Sequence, residues 1–169
     1  HDNIFNEFFQ VFSKPIVKTL SKKLDASICK NINFKFDSFS TASNVDGQKK
    51  DEALFKIEYA VEDKQGSLAI LLPEELLAIA SDILTGGLSE IETNSVNPIL
   101  NALFKDLENA FKHAYGHDLI FSANSYLILK EMPDYKINSG DSNFDFVVGT
   151  TLTLNENEEY KISIFLEKS

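Results

Sequence analysis

Two histidines, His113 and His117, stand four residues apart, and on one helix they would share a face, the spacing of a metal-binding pair. Such a pair needs a third ligand, and Asp118 is the nearest candidate. Gly116 falls between them and is a natural helix stop, so the pair is expected to straddle a helix end. The helix dipole already accounts for histidine near a C-terminus, and no metal site is expected. Cys29 is the single cysteine, which excludes an internal disulfide and a multi-cysteine zinc site. It is expected to be an ordinary strand residue. No phosphate-binding P-loop, dinucleotide fingerprint or nucleophile elbow occurs. The acidic stretch 155–159 reads as a solvated hairpin turn.

Charge narrows the partners. The 26 acidic residues outnumber 16 basic ones, all lysines, for a net charge of −10. Binding to phosphate backbones needs concentrated basic residues, whereas these are scattered among acids, so nucleic acid is not expected as a partner. No apolar run approaches the ~20 residues of a membrane span. The lone cysteine suits a reducing, cytoplasmic setting. The chain opens His-Asp-Asn without methionine, so flanking segments are expected beyond it.

These residues must be positioned by recognisable elements. Phe5, Phe8, Phe9, Phe12, Ile16, Leu20 and Leu24 recur at helical spacing. Pro15 is expected to kink or split that helix near Ser13–Lys14. Ile28, Ile32, Phe34 and Phe36 alternate as one face of a strand. Two further strands, 53–61 and 67–72, are expected as a hairpin with Gly66 near the turn. Pro73 then suits the first turn of a helix carrying Leu76, Leu77, Ile79, Ala80, Ile83 and Leu84, closed by Gly86 or Gly87. Asn97-Pro98 reads as the N-cap and first turn of another helix, with Ile99, Ala102, Leu103, Leu107, Ala110 and Phe111 on its apolar stripe. Three strands follow, at 119–129, 144–154 and 160–166, with a polar loop over 131–143.

The order of helix and three strands occurs twice, which predicts an internal duplication. An offset of 91 residues aligns Phe8 with Ile99, Phe12 with Leu103, Ile16 with Leu107 and Leu20 with Phe111. The same offset sets Phe55 on Phe146, Ile57 on Val148 and Val61 on Leu152. The expected architecture is α+β, a single domain over residues 1–169. It has pseudo-twofold repeats of about 3–87 and 94–168 and an antiparallel sheet packed against helices. Either repeat alone would expose an apolar face, and together they bury one core.

The run FKIEYAVEDKQGSLAILLPEELLAIASDILTGG, residues 55–87, resembles the CheC / FliM middle domain / FliY / CheX group of bacterial chemotaxis and flagellar switch proteins. IETNSVNPILNALFKDLENAFKHAY, residues 91–115, resembles the helix opening the second half in FliM and FliY. The resemblance covers nearly the whole chain and rests on the order of elements and the Gly-Gly pair.

It implies two functions of different kinds. CheC, CheX and some FliY proteins dephosphorylate CheY-phosphate, using helices that carry an acidic or small polar residue, then Glu four later, then Asn three after that. The matching positions here are Asn3, Glu7 and Gln10 in the first half, and Asn94, Pro98 and Asn101 in the second. Glu7 keeps the acid but Gln10 replaces Asn; Asn101 keeps the carboxamide but Pro98 replaces Glu. Any Mg²⁺ and phosphoryl-aspartate would belong to the partner, so no cofactor of its own is implied. FliM contacts FliG through a Gly-Gly-x-Gly loop, to which Gly86, Gly87, Leu88 and Ser89 correspond, the last glycine being serine. With both catalytic sets eroded, the expected role is non-enzymatic: protein–protein contact with switch proteins such as FliG, FliM or FliN. The alternative is a CheY-phosphate phosphatase working through Glu7 and Gln10. The expected location is cytoplasmic, at the periphery of the flagellar basal body.

Overall fold

Among the described residues, amphipathic spacing gives two long helices and alternation gives six strands. The structure, a computed structural model, describes residues 2–23, 31–42, 51–76, 93–131 and 144–167. In order these are α1 (Asp2–Lys23), β1 (Asn33–Thr41), β2 (Glu52–Val61), β3 (Lys64–Pro73), α2 (Thr93–Tyr115), β4 (Leu119–Ile128), β5 (Phe146–Asn155) and β6 (Glu158–Leu166). The strands form one sheet of order β1-β5-β6-β3-β2-β4, with every pairing antiparallel.

That order has an internal symmetry. It reads the same from either edge once β1, β2 and β3 are exchanged for β4, β5 and β6. The helices start 91 residues apart, at Asp2 and Thr93, matching the offset read from the sequence. The hairpins do not keep it, because their last outgoing residues, Val61 and Asn155, are 94 apart. The gap-free alignment of Phe55, Ile57 and Val61 with Phe146, Val148 and Leu152 is therefore corrected by three residues at the tips. One of the three is the bulge between Thr153 and Asn155. A slip of the other two returns every side chain to its own face, so an apolar pattern carries no trace of it.

The sheet is buried on both faces, which is why β3 reads as a continuous apolar run. On the α1 face, Phe9 meets Phe34, Ala53, Phe55, Leu72, Leu152, Leu154, Tyr160 and Ile162, with Ile16, Val17 and Leu20 packed alongside. On the other face Leu54, Ala69, Leu71, Leu129, Phe144 and Phe165 form a second cluster. Phe34 and Phe36 share the α1 face as expected, and Ile32 packs beside them. Ile28 and Cys29 lie outside the described residues, as do 77–92 and 132–143.

Several local expectations are corrected. Pro15 does not split α1, which runs unbroken through it. Ile16, Val17 and Leu20 just beyond it are held in the core, and this tertiary packing outweighs the one backbone bond a proline removes. Asn97-Pro98 is not the start of α2, since the helix begins four residues earlier at Thr93. Pro73 ends β3, paired with Glu52, and the helical turn begins at Glu74, whose N–H donates to the Asp51 carbonyl at 2.8 Å. Gly66 is not in the hairpin turn, which is formed by Glu62 and Asp63 between the paired Val61 and Lys64. Glu62 takes the left-handed conformation (φ 55°) that such turns require. It is held there by Asp118: the Glu62 N–H donates to the Asp118 carbonyl at 2.9 Å, and the Asp118 N–H donates to Glu62 Oε1 at 3.0 Å. Gly116 does close α2, with φ of 72° and its N–H on the Lys112 carbonyl at 2.8 Å.

Candidate functional site

The heptad-like spacing of α1 turns Phe9, Ser13, Ile16 and Leu20 inward, and this leaves Glu7 and Gln10 exposed on the opposite side. Three residues apart, they stand side by side on the solvent surface. The Gln10 carboxamide is tethered within its own helix. Its Nε2 donates to Asn6 Oδ1 at 3.4 Å, and its Oε1 accepts from the buried Ser13 hydroxyl at 3.2 Å. Glu7 projects into solvent one turn before it.

Asn101 does not join them. The two helices pack antiparallel: Phe8 lies against Tyr115 with ring centroids 5.8 Å apart, Phe12 against Phe111 at 6.2 Å, and Thr19 donates to Asp106 Oδ2 at 2.5 Å. Moving forward along α1 therefore moves backward along α2. Gln10 is level with about residue 113 of α2. Asn101 is twelve residues further on, about 18 Å at 1.5 Å per residue. The helices thus carry two separate stations, with Gln10 and Asn101 each eight residues beyond its helix start. One station holds Glu7 and Gln10, and the other holds Pro98 and Asn101. Gly86, Gly87, Leu88 and Ser89 lie outside the described residues.

Phe8, expected on the buried stripe, is instead 46% exposed. It stacks edge-on against Phe12 at 5.1 Å, and with Tyr115 it forms an aromatic rim beside Glu7. Of the histidine pair, His113 is exposed on α2 and His117 lies beyond the end of that helix. His117 Nδ1 lies 3.2 Å from Glu62 Oε1, and Lys112 pairs with Asp118 at 3.0 Å. The first contact ties the segment after α2 to the β2–β3 turn, and the second ties that segment back to the last turn of α2. Among the described residues no group of three or more His, Cys, Asp or Glu side chains is gathered in metal-binding proximity.

One feature escaped the sequence reading: an open polar cavity of about 280 Å³ lined by Glu58, Tyr59, Gln65, Gly66, Ser67, Ser122 and Glu167. Glu167 Oε2 accepts from the Ser67 N–H at 3.3 Å. Burial, and secondarily the Glu167 carboxylate, raise the Tyr59 phenol above its ordinary value. Three strands and the segment just after β6 contribute to this cavity, so no local motif announces it.

The fold and the paired helix stations define a class: a six-stranded antiparallel sheet with two antiparallel helices on one face, in pseudo-twofold order. No protein-family model matches the chain and no curated protein matches it in sequence. Solved structures do match in fold. FliY of Thermotoga maritima is 16% identical, with a TM-score of 0.66 over 98% of this chain and 88% of that one. The FliM of a FliM–SpeE complex from H. pylori is 14% identical, TM-score 0.57, over 95% and 86%. The structure of a CheX–CheY–BeF₃–Mg²⁺ complex from Borrelia burgdorferi gives 13% identity and a TM-score of 0.50, over 93% and 98%. The fold is therefore that of the chemotaxis and flagellar switch group which the sequence resembles. No helix among the described residues is long and apolar enough to cross a membrane.

Proposed function

We propose that the chain is a chemotaxis or flagellar switch component of the FliY/FliM/CheX kind that acts by protein–protein contact rather than by catalysis. One observation carries this reading: the described residues keep the fold of the group while each helix station lacks one of its two reactive groups. Glu7 stands beside a glutamine, and Asn101 follows a helix position occupied by Pro98. The separation of the stations along antiparallel helices prevents the surviving Glu7 and Asn101 from acting together. The proposed partners are switch proteins such as FliG, FliM or FliN. The contact runs through Gly86, Gly87, Leu88 and Ser89, and the protein is placed on the cytoplasmic side at the periphery of the basal body. A pull-down with a FliG-type rotor protein tests it. Leu88→Asp should weaken capture while thermal unfolding stays unchanged, and undiminished capture would reject the loop as the contact.

A second reading is favoured by the shared exposure of Glu7 and Gln10 on one face of α1. In that reading Glu7 pairs with the active-site lysine of a phosphorylated response regulator and Gln10 orients the attacking water. Water forms a new O–P bond as the aspartyl O–P bond breaks, giving aspartate carboxylate and inorganic phosphate, which takes up the water proton. The Mg²⁺ is the partner's. Catalysis of this kind is mainly positioning and electrostatics. Glutamine sets its amide one methylene further out than asparagine, about 1 Å or more, which costs in-line attack heavily. The Gln10 tether to Asn6 and Ser13 also holds the amide back against the helix.

A further inference from the structure

The polar cavity beside the β2–β3 hairpin takes no lining residue from α1 or α2, so neither helix station accounts for it. Glu58 and Glu167 bring two carboxylates to it, and neither pairs with a lysine or histidine among the described residues. Both flank Ser67: Glu58 is its partner in the β2–β3 ladder, and Glu167 accepts from its N–H at 3.3 Å. Tyr59 lays its ring over Gly66, where a Cβ would stand 2.8 Å from the phenol oxygen. The pseudo-twofold relation supplies a comparison within the same chain. Each edge strand has a bulge at the matching place: Ser122 in β4 opposite Glu58 and Tyr59, and Asp37 in β1 opposite Gly149 and Thr150. Counted from the bulges, Glu58 corresponds to Gly149 and Gln65 to Lys161. Through the β3–β6 ladder, Glu167 corresponds to Leu71, which faces Ser163 as Glu167 faces Ser67. The second half thus keeps its strands with neither acid, so the fold does not require them. The acid at its own bulge, Asp37, is met by ammonium groups, Lys35 at 3.6 Å and Lys161 at 3.7 Å. The first half has two acids, and glutamine where the second half has Lys161.

We propose that this cavity is a binding site for a primary alkylammonium group, held by Glu58, Glu167 and the Tyr59 hydroxyl. An ammonium has three N–H donors and no acceptor, which matches two carboxylates and a phenol oxygen. Burial and the Glu167 charge keep the phenol in its neutral form, and its ring gives an alkyl stem an apolar wall. Two carboxylates at one cavity repel each other, and a bound cation relieves that cost. Two carboxylates without a third acid or an imidazole are a poor metal set, and among the described residues no group of three is gathered. About 280 Å³ is at the small end of ligand pockets, which suits an ammonium head and a short stem. The net charge of −10 draws cations towards the surface. Free small amines and the lysine side chains of other proteins both carry this group.

The test titrates the whole chain with n-butylammonium chloride and follows backbone amide shifts by NMR, with n-butanol as the uncharged control. The peptide acetyl-Gly-Lys-Gly-amide is titrated in parallel. The expected result is saturable shifts centred on Glu58, Gly66, Ser67, Ser122 and Glu167 with butylammonium and none with butanol. Glu58→Gln/Glu167→Gln, checked for folding by circular dichroism, should bind at least tenfold more weakly, and Tyr59→Phe severalfold more weakly. Peptide binding at least tenfold tighter than butylammonium supports the site with a protein lysine as its source, and weaker peptide binding supports it with a free amine. No saturable shift with either probe overturns the proposal. So does undiminished binding by the folded Gln variant, or equal shifts with butanol.

Discussion

Thr19 Oγ1 donates to Asp106 Oδ2 at 2.5 Å, joining α1 to α2 by a hydrogen bond whose donor is 4% exposed. A bond to an ionised acceptor is worth about 1.5–3 kcal/mol, more than a neutral pair. Because Asp106 is exposed, losing the hydroxyl leaves its carboxylate hydrated. Thr19→Val is therefore expected to lower stability by about 1–2 kcal/mol in urea unfolding, with no change in denaturant slope. Asp106→Ala should add little to it in the double variant.

A second expectation concerns Gly66. A Cβ there would stand 2.7 Å from Tyr59 Cζ and 2.8 Å from its hydroxyl oxygen. The ring crosses over the glycine from the facing strand, so the backbone needs a bare Cα at that point. Gly66→Ala should displace the ring and cost about 1–3 kcal/mol, as overpacking does. The same change in a Tyr59→Ala background should cost far less. Equal costs in both backgrounds, measured by chemical denaturation, would show that the ring is not the obstacle.

Tyr59 also sets a pH dependence. Its phenol is raised above the ordinary value of 10.0, first by burial and then by the Glu167 carboxylate. The folded state therefore holds this proton more tightly than the unfolded chain. The stabilisation is fully present below pH about 10 and is lost as pH rises through the folded value. Spectrophotometric titration should show one tyrosine ionising later than the rest. Glu167→Gln should bring it earlier without restoring it fully, because burial remains.

These three sites show what the sequence made legible. Faces were readable where periodicity was strong: Phe34 and Phe36 lie together against Phe9, and Gly116 ends α2. Exposure of Glu7 and Gln10 followed from the same wheel. Turn chemistry was read less well. Gly66 suggested a turn, yet its reason is the Tyr59 ring across the ladder, a register fact that no local window contains. Pro15 signalled a break that packing on both sides overrides. The Thr19–Asp106 bond links residues 87 apart in sequence, and the polar cavity draws on distant strands, so neither has a sequence signature.

The central claim is that the chain works by protein contact and that Glu7 and Gln10 of α1 do not catalyse, and decay of phosphorylated CheY in the presence of Mg²⁺ and excess purified protein tests it most directly. The expected decay rate equals that of CheY-phosphate alone, for the wild type and for Glu7→Ala. Accelerated decay that disappears in Glu7→Ala would contradict the claim and restore Glu7 and Gln10 as a working phosphatase site.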